Sequence, residues 1–338
     1  MRPGAAALLL AAVASPAAPA EETHLRYVPS DTRAVLTIHY PALPPAERGQ
    51  ARDLMDRLYR AHLVPELGKG AKMPISDVSR IVFALPYAGS FNGVVLVRGK
   101  IDRKLFERQM QEVGKMTGAL AVERMGKPAA AVYTRRLDQK ELVALLPPLA
   151  KIPAPFLKLV APQEAHFAAL DDETLFFSLS GKKQVERALR ARSGTGGLRV
   201  SSELAAVLRK QDPKDYTAGV LVEESLHPGL ALIADDATRE TFQQFDYITL
   251  RIQGKKDVRV TIEIKGKSDD VAPTLEERSK KALEKLREIL PKLVANKEKL
   301  AALDSLLRSF KVSRKDERVT LVGTLPEALA RKLMAPKE

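Results

Sequence analysis

Val97-Arg98-Gly99-Lys100-Ile101-Asp102 closes one strand-like run and opens a helix, and Ile264-Lys265-Gly266-Lys267-Ser268-Asp269 does the same much later in the chain. Working outward from the second copy, Val258, Val260, Ile262 and Ile264 alternate with Arg259, Thr261, Glu263 and Lys265. A period of two with one polar set predicts a strand whose sheet has one wet face. Its partner is Tyr247 to Ile252, across the turn signal Gly254-Lys255-Lys256-Asp257. In the first copy Arg80 to Leu85 and Val94 to Gly99 make the matching hairpin, separated by Pro86, Gly89 and Asn92.

The remaining elements fall into the same order on both sides. A strand over Ala34 to Tyr40 precedes the first hairpin, and one over Tyr216 to Val222 precedes the second. Between strand and hairpin, Leu54, Leu58, Ala61 and His62 have helical spacing, and Asp236 to Gln244 reads as its counterpart. After the hairpins, residues 103–117 repeat Phe106, Met110 and Val113 at helical spacing. The later helix runs from Thr274, with Glu277 at capping-box distance, through Leu283, Leu286 and Leu290 to a kink at Pro291. It resumes from Asn296. Closing hairpins are expected at 120–123 with 130–134, and at 310–312 with 318–323. The predicted fold class is therefore α+β: two tandem copies of strand, helix, hairpin, helix, hairpin, with antiparallel sheets and helices packed on one face. On this reading residues 94–134 should overlie 258–324.

Between the copies lie a third hairpin, Ala165 to Leu170 with Thr174 to Ser180, and a helix from Lys182 to Arg192. Ser193-Gly194-Thr195-Gly196-Gly197 reads as the linker. The expected domains are 1–20 as a signal peptide, 21–192 as the first copy with a Pro-rich insertion over 138–163, 193–200 as the linker and 201–338 as the second copy. The signal peptide rests on Arg2, the apolar core Ala5 to Val13, and Ala18-Pro19-Ala20 before Glu21. Nine apolar residues are too few to span a bilayer, which needs about 20, so the expectation is export to the periplasm or outside the cell, with no transmembrane span in the mature chain.

With Val28-Pro29-Ser30-Asp31-Thr32 ahead of the first strand, paired β-rich repeats, and the closing run Val319-Thr320-Leu321-Val322-Gly323-Thr324-Leu325-Pro326, the chain resembles a class of exported bacterial α+β proteins with no assigned function. That resemblance implies a location and a fold, and no activity.

Composition removes several chemistries. The 338 residues contain no Cys and no Trp, which excludes disulfides, a thiol nucleophile and thiolate metal ligation. The five His residues, 24, 39, 62, 166 and 227, never fall within five residues of one another, so no helical metal pair exists. There is no G-x-S-x-G elbow and no S-x-x-K with K-T-G. Ser180-Gly181-Lys182-Lys183 lacks P-loop spacing and reads as a helix start with Ser180 as its cap. Asp171-Asp172 reads as a hairpin turn, and Asp235-Asp236 and Asp269-Asp270 as helix starts. No catalytic residue, metal site or cofactor is assigned.

What the sequence offers is charge and one apolar segment. The net charge is +13. Residues 98–140 hold eleven basic side chains against five acids, and Arg98, Lys100, Arg103, Lys104 and Arg108 form the candidate anion-facing patch. No aromatics interleave with them, which argues against specific nucleic-acid binding. Leu142 to Pro162 carries five prolines and only Lys151 and Lys158 as charges. Leu145, Leu149, Ile152, Phe156 and Leu159 make it a candidate apolar flap. The reading is a non-enzymatic envelope protein that binds or scaffolds, with an anionic envelope component as partner. The alternative is a periplasmic carrier or chaperone of an apolar ligand, with residues 142–162 as its lid.

Overall fold

The computed structural model describes residues 25–43, 71–87, 93–136, 164–194, 200–223, 240–254 and 257–334 almost throughout, with scattered residues of 48–68. The protein is α+β. Among the described residues twelve strands form one sheet: β1 (Ala34–His39), β2 (Ile75–Leu85), β3 (Val94–Ile101), β4 (Leu120–Met125), β5 (Ala130–Arg136), β6 (Glu164–Ala169), β7 (Thr174–Ser178), β8 (Thr217–Val222), β9 (Phe245–Gly254), β10 (Val258–Gly266), β11 (Lys311–Lys315) and β12 (Arg318–Leu325). Their order is β11-β12-β10-β9-β8-β1-β2-β3-β7-β6-β5-β4, and every neighbouring pair is antiparallel. Among the described residues the α-helices are α1 (Arg103–Thr117), α2 (Lys182–Arg192), α3 (Ser202–Arg209), α4 (Ala272–Leu293), α5 (Lys297–Ser309) and α6 (Glu327–Met334).

The seam is β1 against β8, with Leu36 opposite Gly219. From it the sheet runs outward as β1-β2-β3-β7-β6 on one side and β8-β9-β10-β12-β11 on the other. A helix follows β7 and another follows β12. The expected overlay of 94–134 on 258–324 fails at its second hairpin. β4 and β5 lie at the sheet edge beyond β6, and the hairpin that holds the place of β11-β12 is β6-β7.

Helices do not keep to one face, as the sequence reading expected. In the first half α2 and α3 bury Val185, Leu189 and Leu204 with Val35, Val82 and Leu96. On the opposite face α1 buries Phe106, Met110 and Val113 with Ile81 and Val97. Leu96 and Val97 are adjacent in β3 yet belong to different cores. The run Val94-Val95-Leu96-Val97 is apolar on both sides because both sides are covered, the signature of a strand buried on two faces. The second half does follow the alternation, with Ile262 and Ile264 packed with Phe245, Leu275 and Leu283 under α4.

Local starts and stops also differ. α4 begins at Ala272 with a proline in its first turn and no side-chain cap. Thr274 is therefore inside the helix rather than its cap, and Pro273, which needs no amide partner there, sets the start. Pro291 lies in the last turn, and the helix ends at Leu293. Asn296 opens α5 by accepting from Lys299 N–H at 2.9 Å. Gly181, at φ 93°, takes the cap position of α2 instead of Ser180. Its positive φ favours glycine. α3, capped by Ser201 through Leu204 N–H at 3.2 Å, is a helix the sequence reading did not assign.

Candidate functional site

Three segments converge at one end of β3. β2 shifts register between Ser76 and Arg80, and within that irregularity Asp77 adopts φ 48°, a conformation that Asp tolerates better than most residues but still pays for. The displaced strand closes on Gly99, where a Cβ would lie 2.6 Å from the Ser76 carbonyl oxygen. From the other side comes the β6-β7 turn. Gly99 N–H donates to Glu173 C=O at 2.9 Å and Ile101 N–H to Asp172 C=O at 3.1 Å. Asp102 N–H donates to Pro74 C=O at 3.1 Å, and the Asp102 carboxylate accepts from Leu105 N–H at 2.9 Å, capping α1.

Side chains decorate this frame. Arg98 pairs with Glu173 at 2.8 Å and Arg103 with Asp172 at 2.8 Å. Both acids are largely exposed, so the pairs orient the arginines more than they stabilise the fold. Below the turn, Tyr27 OH donates to Asp171 at 2.8 Å. Burial, helped by the Asp171 carboxylate, pushes the phenol up to about 12, so it stays a donor. On the α1 side, buried Tyr59 OH donates to Gln109 Oε1 at 2.8 Å, and Gln109 Nε2 donates to Lys72 C=O at 3.0 Å. That bridge fixes the segment carrying Lys72 against the helix.

Two adjoining cavities open here. The first, of about 740 Å³, lies over the cross-strand row His39, Arg80 and Arg98. Its charge is balanced: Arg80, Arg98 and Lys100 against Asp77, Asp172 and Glu173. The second, of about 700 Å³, is lined by five basic side chains, Arg52, Lys72, Lys100, Arg103 and Lys104, and by two acids, Asp102 and Asp172. Lys100 and Asp172 belong to both. Arg52 is already engaged, pairing with Asp56 at 3.5 Å and donating to Ile75 C=O at 2.6 Å. Among the described residues no carboxylate lies within ion-pair distance of Lys72, Lys100 or Lys104.

Of the candidate patch, Arg98, Lys100, Arg103 and Lys104 are thus brought together at the cavities. Arg108 is not: it sits exposed on α1 and lines neither. Arg52, Lys72, Asp77 and Arg80 were absent from the sequence-derived set. Arg80 was legible in principle as the cross-strand neighbour of Arg98; Lys72 and Arg52 arrive only through tertiary packing. The flap residues Leu145, Leu149, Ile152, Phe156 and Leu159 lie outside the described residues, as do residues 1–24 and Asp235-Asp236. Among the described residues no three His, Asp or Glu side chains gather to hold a metal, and no helix is long and apolar enough to cross a membrane.

No protein-family model matches the chain, and none of the curated proteins resembles it in sequence. Two solved structures are similar over most of their length. Crystal form III of TP0453 aligns with 92% of this chain and 96% of its own at 8% identity and a TM-score of 0.46. Crystal form IV of the same protein gives 92%, 96%, 9% and 0.44. At these values neither a shared fold nor a shared function is carried over.

Proposed function

We propose that this is an exported, non-enzymatic binding or scaffolding protein of the cell envelope, whose partner is anionic and docks on the basic cleft where β2, β3 and α1 meet. The observation that carries the reading is the gathering of Lys72, Lys100 and Lys104, without carboxylate partners among the described residues, on the rim of one 700 Å³ cavity. Unneutralised cations held close together repel one another, so an arrangement that keeps them is explained by a ligand that supplies the opposite charge. Export rests on the leader-like residues 1–20, and the absence of catalytic signatures in the sequence supports a binding role. The chain is built of two tandem copies of one unit. The copies are β1 to α2 and β8 to α6, with β4-β5 as an addition to the first. What supports it is a repeated contact: Gly99 N–H to Glu173 C=O in one wing, Gly266 N–H to Glu317 C=O at 2.7 Å in the other.

Long-chain polyphosphate is a suitable probe. Binding measured at rising salt should weaken steeply, and the triple variant K72Q/K100Q/K104Q should weaken it about tenfold or more. Lys285 and Lys292, exposed on α4, provide the control. Equal losses from K285Q/K292Q, or no binding by the unaltered protein, would overturn the reading.

A further inference from the structure

The two cavities differ in chemistry although they share a wall. One carries three basic and three acidic side chains. The other is basic by a margin of three charges. Matched positions in the other wing show that the fold does not demand this. Past Gly99 the chain places Lys100, Arg103 and Lys104; past Gly266, at the same distances, stand Lys267, Asp270 and Val271. Lys267 is neutralised by Glu223. Lys265, the counterpart of Arg98, is held by Asp246 at 2.6 Å and Glu317 at 3.7 Å. Tyr247, two strands out from the seam, takes the place that Arg80 holds in the first wing, and it lies beneath Lys265. The same strand-to-helix junction is therefore built once with both of its cations compensated, and once with Arg98 and Arg103 paired but Lys100 and Lys104 without a carboxylate partner among the described residues.

Resting on the proposed anion-binding role, we infer that the two cavities form one bipartite site for a phosphate ester whose alcohol portion carries hydrogen-bond donors. The phosphate occupies the Lys72, Lys100 and Lys104 side, where compact ammonium groups suit a tetrahedral anion. The alcohol portion crosses the shared Lys100 wall and offers hydroxyl or ammonium hydrogens to Asp77 on the balanced side. Asp77 is exposed and has no ion pair among the described residues, and its positive φ is a cost paid at the position that faces the cavity. A polyol phosphate and an amino-alcohol phosphate both satisfy this chemistry.

Calorimetric titration of the full chain with inorganic phosphate, glycerol 3-phosphate and O-phosphoethanolamine separates the outcomes. At least one ester should bind about tenfold more tightly than inorganic phosphate, and which ester leads distinguishes hydroxyl from ammonium recognition. K72Q/K104Q should weaken all bound probes. Asp77→Asn, which keeps a side chain suited to positive φ, should erase the advantage of the ester and leave inorganic phosphate unchanged. Equal affinity for all three probes, or an ester advantage that survives in D77N, overturns the bipartite site. If polyphosphate still binds in a manner sensitive to K72Q/K100Q/K104Q, the anion-binding role stands without it. If no probe binds, both fall.

Discussion

Gly99 N–H donates to the Glu173 carbonyl at 2.9 Å, which ties the end of β3 to the β6-β7 turn at the very place where β2 is out of register. The contact requires a close approach of backbones that only glycine permits. An added Cβ would meet Ser76 O at 2.6 Å, with Ile75 Cγ1 and Val78 Cα both at 3.0 Å, and the closest of these is backbone. Gly99→Ala should therefore cost roughly 1–3 kcal/mol, as overpacking in a tight site does. At Gly266 the nearest atoms are all 3.3 Å away, so Gly266→Ala should cost less than about 1 kcal/mol. Urea denaturation of the two variants tests the difference; equal costs would show that the two junctions are equally tight.

Gln109 joins Tyr59 to the carbonyl of Lys72. Gln109→Leu leaves the buried Tyr59 hydroxyl and the part-buried Lys72 carbonyl without their partner and should destabilise the protein by about 1–3 kcal/mol. It should also weaken polyphosphate binding, since the segment bearing Lys72 loses its tether to α1. A stability loss with unchanged binding would show that the tether does not position the lysine.

His166 is nearly fully buried, with Nδ1 3.0 Å from Thr134 Oγ1. Burial lowers its pKa below the usual 6.5, with Lys182 adding to the effect and Glu164 opposing it. A lowered native pKa means that the unfolded chain takes up the proton first. Stability should thus fall as pH drops below about 6.5, and that part of the pH dependence should vanish in His166→Gln. Denaturation midpoints of both proteins between pH 7.5 and 5 provide the check.

Asp215 is fully buried, accepts from Gln253 through Oδ1, and has no partner for Oδ2 among the described residues. Burial raises its pKa above the usual 3.8, so the ionised form is a net cost to the native state at neutral pH. That cost is relieved as pH falls through the native pKa. Asp215→Asn removes the charge, and its stability relative to the unaltered protein should be greatest at pH 7 and decline toward pH 4. A constant difference across that range would mean that folding leaves the pKa of the carboxyl where it is in the unfolded chain.

Much of the fold was legible because its elements obey simple periods. The alternation of Val258 to Lys265 and the helical spacing of Phe106, Met110 and Val113 both describe real surfaces. Strand order was not, because it depends on long-range pairing: nothing in Leu120 to Arg136 states that the hairpin docks outside β6 rather than beside β3. Apolar runs such as Val94 to Val97 conceal whether one face or two are covered. Of the site, sequence clustering found Arg98 to Lys104 because they are near neighbours. Lys72 and Asp77 escaped because a bulge and a buried Tyr59–Gln109 bridge, invisible to any local pattern, deliver them.

The seam between β1 and β8 sets the order in which the molecule is completed. Ala34 pairs with Leu221 and Ile38 with Thr217, so a chain emerging from its N-terminus carries β1 with one edge open until most of its length has been made. Closing so long a loop is slow relative to hairpin formation. In the interval a strand as apolar as Ala34-Val35-Leu36-Thr37-Ile38-His39 is a docking edge for any other extended segment.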